Sequence, residues 1–193
     1  MKKISVVLSA FLFLGVSGVF AATIKGRVSS AKLKTAQDIL VYIEKVEGEE
    51  FAPLEGQKMD QVNLLFVPRV LPVVRGTSVE FHNSDDLQHN VFGVGVEDFD
   101  LGVWGKGEAE RYAFKRLGEV AILSNVHPEM EAYIVVLQNP YFGLTNKQGE
   151  YKIEGVPAGQ YTLKTWHDRL RPAVKSVTVP ARGEINVDFE LKR

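Results

Sequence analysis

The chain has 193 residues, 45% of them apolar and 24% charged, which describes a globular protein rather than a disordered one and leaves room for one ordinary domain or two small ones. Lysine plus arginine (23) balances aspartate plus glutamate (24) at a formal net charge of −1, so no basic excess exists to attract nucleic acid. Cysteine is absent, which excludes a disulfide framework and a lipid-modified cysteine.

The chain opens with Lys2 and Lys3, an apolar run over residues 4–20 and small residues around Ala21. This is the pattern of a secretory signal, residues 1–21, cut after Ala21 or Ala22. The run is marginal for a bilayer span of about 20 residues, and nothing after it is long and apolar enough to cross, so no membrane contact is expected of the mature form. Loss of Lys2 and Lys3 leaves a formal charge of −3. The expected location is a bacterial periplasm, where a chain without disulfides depends on its apolar core for stability.

Residues 23–28 and 39–46 are rich in β-branched and aromatic residues and are predicted strands, separated by a polar connection over 32–38. A second connection covers 47–56. Extended chain is then predicted over 62–68 and 70–74, and a turn at Arg75-Gly76-Thr77 leads into the strand 78–83. Alternation there places Val79, Phe81 and Asn83 inward and His82 outward. A polar loop over 84–88 precedes His89, which opens the next strand at a loop edge. Strand-like sequence continues over 99–104, 109–114 and 119–124, and in the last of these Val120, Ile122 and Ser124 share the inward face. After a loop, 132–137 is the clearest strand in the chain. Turns at 145–149 and 156–159 and alternating residues at Tyr161, Leu163 and Thr165, then at Ile185, Val187, Phe189 and Leu191, complete an all-β pattern with no sustained helical period. Four short C-terminal strands bury little area alone, so the strands within 22–57 are their expected partners.

His89, His127 and Met130 offer two imidazoles and a thioether at loop edges. Copper suits that donor set, because imidazole binds either oxidation state and thioether favours Cu(I). A lone His at a strand end is most often a hydrogen-bonded surface residue, and a lone Met is most often core filler. The spacing of His127 and Met130 after the inward-facing Ser124 raises the joint case above either. Four other residues are candidates of lower rank as ligands or docking groups: His82 is expected to be solvated, His167 to hydrogen-bond Asp168 or backbone, and Glu129 and Glu131 to face solvent. Ser124 and His127 do not suggest a hydrolase, since no nucleophile elbow, oxyanion-hole motif or third partner accompanies them.

The segments Phe66-Val67-Pro68, Gly76-Thr77-Ser78-Val79-Glu80-Phe81, Asn83-Ser84-Asp85, His89-Asn90-Val91-Phe92, Phe99-Asp100-Leu101-Gly102 and Ser124-Asn125-Val126-His127-Pro128-Glu129-Met130 resemble the plastocyanin-like cupredoxins often labelled methylamine utilization proteins. The resemblance covers roughly residues 59–138. It implies a copper site with ligands at the positions of His89, His127 and Met130, and a cysteine ligand at the position that Ser124 holds here. Asn83 and Asn90 match positions that brace such sites. The stretches Gly149-Glu150-Tyr151-Lys152-Ile153 and Val156-Pro157-Ala158-Gly159-Gln160-Tyr161-Thr162-Leu163 resemble the carboxypeptidase regulatory-like, transthyretin-like module that follows the cupredoxin in these proteins.

The expected architecture is therefore a cupredoxin-like Greek-key sandwich over 58–138 plus a small transthyretin-like β-sandwich module over 139–193, with strands from 22–57 paired to the latter. The expected function is periplasmic copper handling or non-blue redox partnering through a thiolate-less His/His/Met site holding Cu(I) or non-blue Cu(II), with Ser124 as a weak fourth contact and a periplasmic redox or copper-trafficking protein as partner. An alcohol stays protonated near neutral pH and is a hard, weak donor, so Ser124 cannot supply the covalency of a thiolate. The alternative is a metal-free binding or scaffold module that keeps the cupredoxin architecture.

Overall fold

The structure is a computed structural model in which residues 21–192 are described, so the predicted signal segment, apart from Ala21, lies outside the described residues. Seventeen strands follow in order: β1 (Ala21–Ser29), β2 (Leu40–Ile43), β3 (Gln57–Val62), β4 (Leu65–Val67), β5 (Val70–Val74), β6 (Ser78–Asn83), β7 (His89–Gly95), β8 (Phe99–Trp104), β9 (Ala109–Ala113), β10 (Gly118–Leu123), β11 (Glu131–Leu137), β12 (Phe142–Leu144), β13 (Glu150–Pro157), β14 (Gly159–Trp166), β15 (Val174–Val179), β16 (Gly183–Asn186) and β17 (Phe189–Glu190). No helix among the described residues is long and apolar enough to cross a membrane.

Strands β3 to β11 form an all-β, cupredoxin-like sandwich. One sheet has the order β4-β3-β6-β9 and the other β5-β11-β10-β7-β8. The pairs β3/β6 and β5/β11 are parallel while their neighbours are antiparallel, so the chain crosses repeatedly between the sheets. Alternation explains the filling: Met59, Phe81, Val91, Phe114, Val120, Ile122 and Ile134 are all fully buried between the two sheets. Gly93 is needed where the Phe99 ring lies across β7, since a Cβ there would sit 2.3 Å from that ring.

One predicted run divides. Residues 62–68 read as continuous extended chain, yet β3 and β4 make a hairpin whose turn, Asn63 and Leu64, has positive φ at both residues (54° and 60°). Asn suits that conformation and Leu does not. The turn is held from outside, because the Asp85 carboxylate accepts the Asn63 N–H at 2.6 Å and the Leu64 N–H at 3.0 Å.

The terminal strands build a second pair of sheets. In one, β1 lies between β13 (antiparallel) and β16 (parallel) and continues alongside β17; the other has the order β12-β2-β14-β15. The strands β12 and β15 had no clear signal in the sequence pattern. The core between these sheets includes Ile24, Val28, Ile39, Val41, Ile43, Ile153 and Leu163.

The two sandwiches meet through the outer face of β11. Val135 and Leu137 form a buried cluster with Leu40, flanked by Tyr42, Phe142, Leu144 and Trp166 of the β12-β2-β14 sheet. Trp166 also stands 5.3 Å from Tyr133, ring to ring, and donates its indole N–H to Glu119 at 2.7 Å. At the edge of this contact Arg69 Nη2 donates to Asp168 Oδ2 at 2.6 Å, and the Asp168 side chain is only 5% exposed. Burial raises the Asp168 carboxyl, but Arg69, His167 and Arg169 outweigh it and hold the group below its ordinary value.

Two outcomes follow from this packing. Leu40→Ala should lower the unfolding free energy by about 2–4 kcal/mol in urea melts, as a buried leucine does when a cavity is left, and a loss below about 1 kcal/mol would contradict packing through this cluster. Because the folded Asp168 pKa is depressed, its contribution is complete above the unfolded value of about 4 and is lost as pH falls through the folded value. The stability gap between wild type and Asp168→Asn, measured from about pH 6 to about pH 2, should narrow toward the acid end. A constant gap would contradict the assignment.

Candidate metal centre

The loop between β10 and β11 carries three of the four candidate residues, Ser124, His127 and Met130. Ser124 ends the inward row after Val120 and Ile122 and is buried, and its Oγ accepts the backbone N–H groups of Val126 and His127, each at 3.3 Å. This hydroxyl therefore acts as a local turn cap, bonding the backbone two and three residues on. The Met130 N–H donates to the His127 carbonyl at 2.9 Å and closes the loop, while the Met130 side chain is fully buried at the loop end of the sandwich core. His127 is half-buried, and Val126, Pro128 and Glu129 around it are exposed.

His89 comes from the other side, at the first position of β7. Its ring is fully buried and lies 4.9 Å from the His127 ring, centroid to centroid, at an interplanar angle of 64°. Nε2 is 2.9 Å from Asp85 Oδ2, and Nδ1 is buried without a hydrogen-bond partner. Burial alone would raise the Asp85 carboxyl, yet the N–H groups of Leu64 and Asn63 and the His89 ring hold it below its ordinary value, so it is an anion near neutral pH. An anionic acceptor calls for the proton on Nε2, and in the neutral ring with that tautomer Nδ1 carries the lone pair. This is how metal-ligating histidines are set, with one nitrogen fixed by a carboxylate and the other left to the ion.

Two asparagines tie the parts together. Asn90 accepts the Asn125 N–H at 3.0 Å and donates to Asp100 at 2.9 Å and to the Gly102 carbonyl at 3.0 Å, so it joins the loop after β10 to β7 and β8. Asn83 donates to the carbonyls of Leu87 (2.8 Å) and Trp104 (3.0 Å) and accepts the Asp85 N–H at 3.0 Å, which shapes the loop that carries Asp85 toward His89.

His89 and His127 are thus brought together, with Ser124 and Met130 on the same loop as His127. His82 points outward and pairs with Glu80 at 3.3 Å. His167 lies at the junction of the two sandwiches, where its Nδ1 accepts the Arg169 N–H at 3.1 Å and burial lowers its pKa. Among the described residues no group of three or more His, Cys, Asp and Glu could hold a metal ion, so any ion here depends on the two imidazoles with a thioether or hydroxyl. That donor set fits copper better than a hard cation. The residue that spacing did not single out is Asp85; its signal is the Asp-x-x-x-His interval from Asp85 to His89, which lies in an irregular loop where no periodicity points one side chain at the other.

The tautomer is directly measurable. In 15N NMR of the metal-free protein at about pH 8, His89 should carry its proton on Nε2 with Nδ1 unprotonated. A proton on Nδ1 would contradict the geometry.

No family model matches the chain, and no curated protein matches it. Among solved structures, it is similar to a purple cupredoxin from Nitrosopumilus maritimus at 18% identity and a TM-score of 0.38, over 42% of this chain and 98% of that one. It is similar to a Cu-containing nitrite reductase from Thermus scotoductus SA-01 at 28% identity and a TM-score of 0.42, over 58% of this chain and 28% of the reductase. A reduced amicyanin mutant aligns at 23% identity and a TM-score of 0.40, over 44% of this chain and 91% of that one. These are likenesses of fold, and the all-β, cupredoxin-like architecture of this chain rests on the strand order given above.

Proposed function

We propose that this is an exported copper-binding protein whose cupredoxin-like sandwich holds copper through His89, His127 and Met130, without a thiolate. The observation that carries the reading is the buried His89 Nδ1, which has no hydrogen-bond partner, on a ring that lies 4.9 Å from the His127 ring while Asp85 meets the opposite nitrogen. A buried nitrogen left unpaired costs about 1–3 kcal/mol, and a metal ion is the occupant that the surrounding groups suit.

The chain's own residues assign the roles. His89 is the rigid donor, oriented by Asp85. His127 is the donor nearer solvent, since it is half-buried with exposed neighbours. Met130 supplies a soft sulfur from the core side. Ser124 holds the loop rather than donating strongly, because its oxygen already accepts two N–H groups. Bound there, copper would supply one-electron chemistry or be carried as cargo for a periplasmic redox or trafficking partner. With a hydroxyl in place of a thiolate the site favours Cu(I), and any Cu(II) form lacks the intense thiolate charge-transfer colour. The chain is a binding protein in this reading, with no catalytic residue.

Copper titration of the purified mature protein tests this. Cu(I) should bind, and His89→Ala or His127→Ala should each lower the affinity by about 100-fold or more, with Met130→Leu losing less. Cu(II) should give no intense visible band, whereas Ser124→Cys should turn the loaded protein blue. Binding no tighter than that of His127→Ala would remove the copper reading and leave a metal-free scaffold.

A further inference from the structure

A cleft of about 500 Å³ opens at the junction of the two sandwiches, lined by the loop between β1 and β2, the loop after β14 and the turn that carries Arg69. Its charged lining is Lys32, Lys34, Arg69 and Arg169 against the single carboxylate of Asp38. A second cavity of about 480 Å³ adjoins it and shares Lys32, Leu33 and Arg169. The full chain carries a net negative formal charge, so this concentration of cations on one concave surface departs from the molecule's average.

Arg69 is the fixed element of the cleft. Asp168 holds one end of its guanidinium from below, Tyr133 lies 5.3 Å beneath it as a cation–π partner, and Glu131 stands 3.9 Å away. With 36% of its side chain exposed, it is held in place by these groups while remaining partly open to solvent. Arg169, 72% exposed, touches the same carboxylate at 3.4 Å, while Lys32 and Lys34 are exposed and make no ion pair among the described residues. His167 lines the wall and its pKa is lowered by burial, so it adds no charge near neutral pH.

We propose that this cleft docks an acidic segment of a partner protein, with Arg69 forking one carboxylate and Lys32, Lys34 and Arg169 steering the rest. Charge complementarity selects the occupant: Lys32, Lys34, Arg69 and Arg169 line one cavity against Asp38, and although Asp168 offsets part of the charge of the two arginines, both lysines make no ion pair among the described residues. The proposal does not rest on the copper reading, since none of the cleft residues belongs to the candidate metal site.

The test uses the full mature protein, metal-free, and a fluorescent oligoglutamate peptide with an oligoglutamine peptide as control. The acidic peptide should bind, and binding should weaken as salt is raised. The double reversal Lys34→Glu with Arg169→Glu should lower affinity about tenfold or more, whereas Lys115→Glu with Arg116→Glu, of equal charge change on the β9–β10 turn, should change it less than about twofold. Arg69→Lys keeps the charge but removes the guanidinium and should weaken binding severalfold, with a cooperative melting transition as evidence of folding. Equal losses from both double variants, no loss from the first, or no preference for oligoglutamate would overturn the proposal. So would binding to phosphatidylglycerol vesicles without binding to the peptide, which would assign the surface to lipid.

Discussion

The Asp85 carboxylate is the constraint on which the rest of the candidate site depends. It accepts two backbone N–H groups from the β3–β4 turn and meets Nε2 of His89, so one anion fixes both a positive-φ turn and the orientation of a buried imidazole. Remove it and the turn loses the acceptor that offsets its strain, while His89 loses what keeps its proton on Nε2. Asn83 stands behind Asp85 and Asn90 stands behind the facing loop, which makes the pocket a hydrogen-bonded frame rather than a chance meeting of two histidines. Polar frames of this kind rigidify a site, and here the frame leaves His89 Nδ1 buried without a hydrogen-bond partner.

The architecture explains how such a frame is supported. The site lies at one end of the sandwich, where β7 begins and β10 ends, and the apolar rows below it hold the two sheets in register. A second sandwich packs on the outer face of β11, the strand that leaves the loop of His127 and Met130, through Val135, Leu137 and Leu40. The loop is thus anchored on both sides: by Asn90 toward β7 and β8, and by Tyr133 and Arg69 toward the second sandwich.

Much of this was legible in the sequence, for identifiable reasons. Period-two alternation placed Val120, Ile122 and Ser124 on one inward row and separated Asn83 from His82, and loop spacing singled out His127 and Met130. The turn at Asn63 and Leu64 was not legible, because a leucine at positive φ carries no turn signal and its stabiliser is twenty-one residues away in Asp85. The strands β12 and β15 were hidden by short length and exposed residues. The cationic cleft was invisible as well, since Lys32, Arg69 and Arg169 belong to three separate segments that only the packing of two sandwiches brings together.

The central claim is that His89 Nδ1 is a metal-facing lone pair. X-ray absorption of the mature protein loaded with stoichiometric Cu(I) tests it most directly. The account predicts imidazole scattering from two histidines together with a thioether sulfur, and loss of one imidazole contribution in His89→Ala. A spectrum without imidazole scattering, or one that His89→Ala leaves unchanged, would contradict it.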